Sequence, residues 1–253
     1  MLKPLTLLAL LATTHAHYTF HSLTYNGTKS APWQYVRNWT DTAGWFDSSG
    51  IQYFSPLYKT SFNSINLRCN IGAKFAPETL PVQAGTEITF DSADNIWHPG
   101  PLMAYMARVP KGKTAGNWDG AGKVWFKVWE DHPYPVPDPV VEYYRGEFEG
   151  YFETNAHLNR TVTFKIPASI PNGEYLFRPE HIAVMVIDNP QIYTTCAQIS
   201  VYGGGNGTPG PLVSIPGLYK ESDATWKYDI RKIVGDGYIK YPFPNPGPVV
   251  WRG

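Results

Sequence analysis

The sequence predicts an all-β fold, an antiparallel β-sandwich with long decorated loops, on three observations. Among 253 residues there are 23 Gly, 23 Pro and 15% aromatics, whereas charged residues make up only 17%. That composition disfavours long helices and favours short strands joined by turns. Runs of alternating or aromatic and β-branched residues recur along the chain with Gly and Pro between them, at the spacing of a sandwich. The length suits one such domain.

Residues 1–16 stand apart from the fold. Lys3 supplies a positive start, Leu5 to Ala12 an apolar run, and Thr14-His15-Ala16 a small-residue cleavage site, the layout of a secretory signal peptide. The run is too short to span a bilayer. A secreted, extracellular protein is expected, with residues 17–253 as a single domain whose first residue is His17. The stretch from Ser30 to Asn66, rich in Trp, Tyr, Ser and Asn, lacks periodicity and is expected to be a long loop region. Strand patterns follow at Thr86 to Asp91, Pro101 to Val109 and Val124 to Trp129. Thr161 to Ile166 alternates before Pro167, and Pro171-Asn172-Gly173 is a turn signal ahead of a strand from Glu174 to Arg178. Ile182 to Ile187 and Gln191 to Val201 complete the set. The Gly-rich stretch 203–210 is a candidate linker, and the remainder, with Trp226, Tyr228 and Tyr238, is expected to pack as a tail on the same domain. No internal repeat or C-terminal anchor signal is visible.

Charge and cysteines narrow the function classes. Twenty-one basic and 21 acidic residues leave a formal charge of zero, without the clustered basic excess of a nucleic-acid binder. In a secreted chain the two cysteines, Cys69 and Cys196, are expected to form one long-range bridge. The absence of a CxxC spacing argues against a zinc or redox pair. Sequons at Asn26, Asn38, Asn159 and Asn206 fit a secreted glycoprotein.

The candidate chemistry begins at the cleavage junction. A histidine exposed as the first residue offers two nitrogens, the α-amine and ring Nδ1, that chelate one metal in a small ring. The amine's pKa of roughly 7.7–8 makes loss of its proton to a metal inexpensive near neutral pH. One further imidazole completes three nitrogens around copper, an arrangement suited to Cu(II) and accessible to Cu(I). His98, in Asn95-Ile-Trp-His-Pro-Gly-Pro101, is the candidate, held in a turn that the prolines stiffen. Alone, either histidine has a plain explanation as a chance residue or polar surface. A third segment makes the pattern more specific. Gln191 and Tyr193 are two apart on a predicted strand and share a face, with Cys196 on the other. Tyr193 then suits a weak axial oxygen, and Gln191 a hydrogen-bond donor to whatever binds the metal.

These segments resemble the copper-dependent lytic polysaccharide monooxygenases of auxiliary-activity family nine, formerly classed as a glycoside hydrolase family. The resemblance runs through nearly all of the mature chain. It includes His17-Tyr-Thr-Phe20, Trp33-Gln-Tyr-Val-Arg37, Ile65-Asn-Leu-Arg-Cys-Asn70 and His98-Pro-Gly-Pro-Leu-Met103. Trp125-Phe-Lys127, Gly173 to Ala183, Gln191-Ile-Tyr193 and Pro246 to Trp251 continue it. The resemblance implies an immunoglobulin-like sandwich carrying one copper ion, cycling between Cu(II) and Cu(I), on a flat face. It implies a histidine brace of His17 and His98, axial Tyr193, and a Cys69–Cys196 disulfide. It further implies oxidative cleavage of β-1,4-glucan, cellulose above all and hemicellulose beside it, with hydrogen peroxide or oxygen. The electron donor would be a small reductant or a redox partner enzyme, and the protein a monomer that engages no nucleic acid or membrane.

Two departures bear on that function. The family pattern Ile-Ala-Leu-His reads Ile182-Ala-Val-Met185 here, placing a thioether, no proton donor, where an imidazole stands. His181 lies about 13 Å away along an extended strand, too far to replace it. A tail tyrosine of the family's substrate face falls by count at Arg231, with Tyr228 as the neighbouring substitute. Other classes fare less well. A glycoside hydrolase needs two facing carboxylates, and nothing singles out a pair among Glu142, Glu147, Glu149 and Glu153. A non-catalytic sugar binder needs no N-terminal histidine. The alternative kept open is a family-like copper protein with weak or no polysaccharide oxidation, acting in copper handling or cell-wall binding.

Overall fold

The structure is a computed structural model and describes residues 17–39, 45–46, 52–53, 56–96, 98–131, 134–135, 152–153, 159–227 and 243–253. The segment read as a signal peptide, Glu142, Glu147, Glu149, Tyr228, Arg231 and Tyr238 lie outside the described residues. The strands run in order as β1 (Phe20–Tyr25), β2 (Thr28–Lys29), β3 (Trp45–Phe46), β4 (Gln52–Tyr53), β5 (Leu80–Gln83), β6 (Glu87–Ser92) and β7 (Leu102–Arg108). They continue as β8 (Lys123–Asp131), β9 (Tyr134–Pro135), β10 (Phe152–Glu153), β11 (Thr161–Lys165) and β12 (Gly173–Ala183). The last three are β13 (Gln191–Thr194), β14 (Ala197–Tyr202) and β15 (Val213–Ser214). Within the region read as loop, Ser30 to Asn66, lie the strands β3 and β4 and a 3-10 turn at Lys59–Ser61, and the one α-helix among the described residues, α1 (Asn66–Cys69), begins at its end.

Two sheets form the sandwich. The smaller has strand order β11-β6-β1-β2, and the larger β15-β8-β7-β12-β14-β5, with β13 also paired to β12. β6 and β11 alternate as their sequence predicts, sending Ile88, Phe90, Val162 and Phe164 into the space between the sheets. There Phe90 packs on Phe177 of the facing sheet. β1 carries no such signal because His21 and Ser22 are buried along with Phe20 and Leu23.

The larger sheet is covered on both faces. Leu102, Ala104 and Met106 of β7 face the inter-sheet core, while Met103, Tyr105 and Ala107 face a second cluster. That second layer is made by Leu67, Trp118, Ile215, Tyr219 and Trp226 from the connecting segments. Double burial explains the near-continuous apolar run of β7.

Three expectations need correction. The runs 174–178 and 182–187 are not separate strands: β12 continues from Gly173 to Ala183, and residues 185–188 form a bend and turn. Pro179 does not interrupt it because β14 pairs only as far as Phe177 and β13 begins at Glu180. The missing N–H of the proline falls at that seam. Conversely, the run 191–201 is two strands, broken at Thr195 and Cys196 on the other side of the same seam. The stretch 203–210 is not a free linker. Gly204 N–H donates to Asn172 Oδ1 at 2.7 Å, Gly205 N–H to Ile170 O at 3.0 Å and Gly207 N–H to Ser169 O at 2.8 Å. A Cβ on Gly204 would stand 2.0 Å from the Ile170 carbonyl, so close approach is what the glycine permits. Past it, Trp251 enters the inter-sheet core against Phe126.

Cys69, ending α1, is bonded to Cys196 across 127 residues with Cα atoms 5.0 Å apart. Closing a loop of that length restricts the unfolded chain. Replacing both cysteines by alanine should lower unfolding stability by about 4–5 kcal/mol on the chain-entropy account, read as a reduced denaturant midpoint with an intact native fold.

Candidate metal centre

The site forms where both sheets reach the same end of the sandwich. β1 pairs with β6 so that Phe20 faces Ser92, and Ala93 N–H donates to Thr19 O at 2.9 Å, carrying the pairing one step toward the N-terminus. His17 therefore lies alongside the connection that leads from β6 to β7. That connection bears His98 and crosses between the sheets.

His98 is held by its neighbours. Pro101 O accepts from Ile182 N–H at 3.0 Å, and Pro99 O accepts from Val184 N–H at 3.1 Å. Between them Gly100 lies on the β12 backbone, where a Cβ would sit 1.9 Å from the Ile182 carbonyl oxygen. Only glycine fits there. The prolines can serve because each uses its carbonyl and needs no N–H.

Tyr193 arrives from the larger sheet on β13, opposite His181 of β12, while Gln191 faces Ala183. The ring centroids of His17 and His98 are 6.1 Å apart at 83°, those of His17 and Tyr193 6.2 Å, and those of His98 and Tyr193 5.8 Å. His98 and Tyr193 are buried and His17 is half-buried. Two imidazoles on opposite sides of one ion, with metal–nitrogen bonds of about 2 Å, have centres roughly 6 Å apart. The donor set fits such an ion. Among the described residues no three His, Cys, Asp or Glu side chains converge as a cage. The third nitrogen available here is the α-amine that cleavage would free on His17.

The electrostatics suit a metal more than a titrating acid. Burial lowers the pKa of the His17 imidazole, favouring the neutral form that binds metal. Burial, with Tyr58 adding to it, holds the Tyr193 phenol above its ordinary value, so the ring keeps its proton. Its hydroxyl donates to Gln191 Oε1 at 2.8 Å, which orients the amide and leaves its nitrogen as the donor end.

Met185 is half-buried and follows directly on the Val184 that bonds to Pro99. His181, by contrast, is fully buried and faces the interior of the sandwich. Two features escaped the sequence reading. Tyr58, 36% exposed, stands near Tyr193, brought there by the bridge between Leu57 and Ile192. Lys59 Nζ pairs with Asp188 Oδ1 at 2.6 Å, fastening the turn that follows Met185. Neither lies in a periodic segment, and no sequence signal joins positions so far apart. The sequon residues Asn26, Asn38, Asn159 and Asn206 are all exposed.

Comparison with known proteins places most of the chain in one family. Residues 17–238 match the model of Auxiliary Activity family 9 (formerly GH61). An AA9 family lytic polysaccharide monooxygenase H of Malbranchea cinnamomea is 39% identical, over 98% of this chain and 97% of its own. An AA9 family lytic polysaccharide monooxygenase C of Emericella nidulans is 40% identical, over 97% and 96%. Among solved structures, a cellulose-active polysaccharide monooxygenase from M. thermophila is similar with a TM-score of 0.71 at 26% identity, over 94% of this chain and all of that one.

The Gly100 contact yields a direct expectation. Gly100→Ala should push the 98–101 connection off β12, at an overpacking cost of about 1–3 kcal/mol. A shift of the His98 imidazole resonances with a lowered melting temperature checks it, while an unperturbed His98 would show that the close approach does not position the ring.

Proposed function

The chain belongs to Auxiliary Activity family 9, the copper-dependent lytic polysaccharide monooxygenases, and from that membership we propose a secreted, monomeric enzyme that oxidatively cleaves β-1,4-glucan, cellulose first. The observation that carries the proposal is the meeting of His17, His98 and Tyr193 from three separate segments. The family match beginning on His17 supports removal of residues 1–16.

In this reading His17, with its freed α-amine, His98 and Tyr193 are the residues that would hold copper. Copper so bound supplies one-electron chemistry between Cu(II) and Cu(I), drawing on a small reductant or redox partner. In net terms a C–H bond of the polymer and hydrogen peroxide become C–OH and water, after which the glycosidic bond breaks. The protein's residues do the rest. Tyr193, which keeps its proton, would offer only a neutral hydroxyl to the ion. Gln191, oriented by Tyr193, offers its amide N–H to the oxygen co-substrate. Tyr58, 36% exposed and near Tyr193, offers a ring to the sugar. Met185 gives polarisable packing and no proton.

Three measurements test this. A chain that retains any residue before His17 has an amide in place of the amine and should bind Cu(II) orders of magnitude more weakly by calorimetry. Equal affinity in both forms would rule out the brace, and absence of oxidised cello-oligosaccharides by mass spectrometry with copper and reductant would rule out the activity. Met185→His should raise the initial rate of peroxide-driven cellulose oxidation while leaving copper affinity nearly unchanged, because imidazole can donate a proton to the oxygen co-substrate. No gain in folded, copper-loaded variant would show that Gln191 suffices.

A further inference from the structure

Beneath the two histidines lies a third that the proposed mechanism does not use. His181 is fully buried, on the face of β12 that looks into the inter-sheet core, where its odd-numbered neighbours Tyr175 and Phe177 are apolar. A polar ring is costly at such a place unless it is hydrogen-bonded. Its Nδ1 is met by the Tyr18 hydroxyl; with the proton of a neutral ring assigned to Nε2, Tyr18 donates to Nδ1. The Gly100 backbone also interacts with this ring.

Each of these contacts falls on a different segment of the centre. Tyr18 is the residue next to His17. Gly100 is two residues from His98. Across the ladder His181 is the direct partner of Tyr193, with ring centroids 6.1 Å apart at 25°. The Tyr18 ring in turn stacks on Tyr193, centroids 4.3 Å apart at 18°, and stands 5.7 Å from the His181 ring. Tyr18 has no other fixed reason to be a tyrosine: it is 2% exposed, and a phenylalanine would fill the same volume.

We propose that His181 is a positioning residue that sets the metal-binding geometry, using its hydrogen bond to Tyr18 to fix the N-terminal residue against Tyr193 and the Gly100 segment. The proposal rests on His17, His98 and Tyr193 being the copper ligands.

Tyr18→Phe deletes only the hydroxyl, and His181→Phe deletes the acceptor while keeping a buried ring. His181→Asn restores an acceptor near the place of Nδ1. Mature, cleaved protein is compared by Cu(II) affinity, by the electron paramagnetic resonance spectrum of the Cu(II) form, and by thermal melting. Both phenylalanine variants are expected to lose about 10–100-fold in Cu(II) affinity, in the range typical of groups that orient metal ligands, with the same altered copper spectrum. The double variant should be no worse than the weaker single, because both delete one bond, and His181→Asn should recover part of the affinity. Parent-like affinity and spectrum in folded Tyr18→Phe would overturn the proposal, even if melting falls, and so would additive losses in the double variant. If His181→Phe does not fold, Tyr18→Phe alone decides. His17→Ala is measured alongside: unchanged affinity there would remove the ligand assignment itself, a failure distinct from parent-like variants in a protein whose binding depends on His17.

Discussion

The close approach of Gly100 to the Ile182 backbone is the contact on which the centre depends. A sandwich has two sheets, and residues drawn from both converge only if something fixes how one end of the smaller sheet meets the larger. Here the connection from β6 to β7 does so, with Pro99 and Pro101 accepting from β12 on either side of a glycine that has no room for a Cβ. His98 is fastened to the larger sheet, His17 follows β6 by way of β1, and Tyr193 rides on the partner of β12. None of the three candidate ligands is placed by a single loop acting alone.

β12 is also the strand on which buried polar groups concentrate. Arg178 and Glu180, both fully buried, pair at 2.5 Å on the face turned away from the inter-sheet core, where Tyr219 donates to Glu180 and Arg178 Nε donates to Arg68 O at 2.8 Å. His181 stands on the opposite face. A buried ion pair gains little net stability over apolar packing, but losing one partner is severe because the other charge stays buried. The Arg178 contacts to the carbonyls of Leu67 and Arg68 tie β12 to α1, one residue from the disulfide at Cys69. The same strand thus joins the covalent cross-link to the metal centre.

How much of this was legible follows from which signals are local. Strands facing the core on one side, such as β6 and β11, were read at nearly their true bounds because burial imposes a two-residue period. β1 was missed because both its faces are covered, and β12 was cut short because Pro179 is a break unless the neighbouring strand changes at that point. The meeting of His17, His98 and Tyr193, with Gln191 beside them, could be anticipated because the proposed chemistry needs particular residue types at a chain start, in a stiff turn and two apart on a strand. Tyr58 and the His181–Tyr18 pair were not, since each depends on a tertiary contact between segments whose own composition is ordinary. The Gly-rich stretch 203–210 misled for the opposite reason: glycines that allow close packing look the same in sequence as glycines that allow freedom.

The two-sided cover of the larger sheet bears on how relatives of this chain can diverge. Met103, Tyr105 and Leu176 would meet water if the segments carrying Leu67, Trp118, Ile215 and Trp226 were shortened or exchanged, exposing an apolar patch that invites aggregation. Change is therefore least disruptive at the exposed positions of those segments, such as Tyr58 and Ile65. There a side chain can be exchanged, or a residue gained, without uncovering the sheet, and lineages of this fold would be expected to differ most at that surface and least a few residues inward.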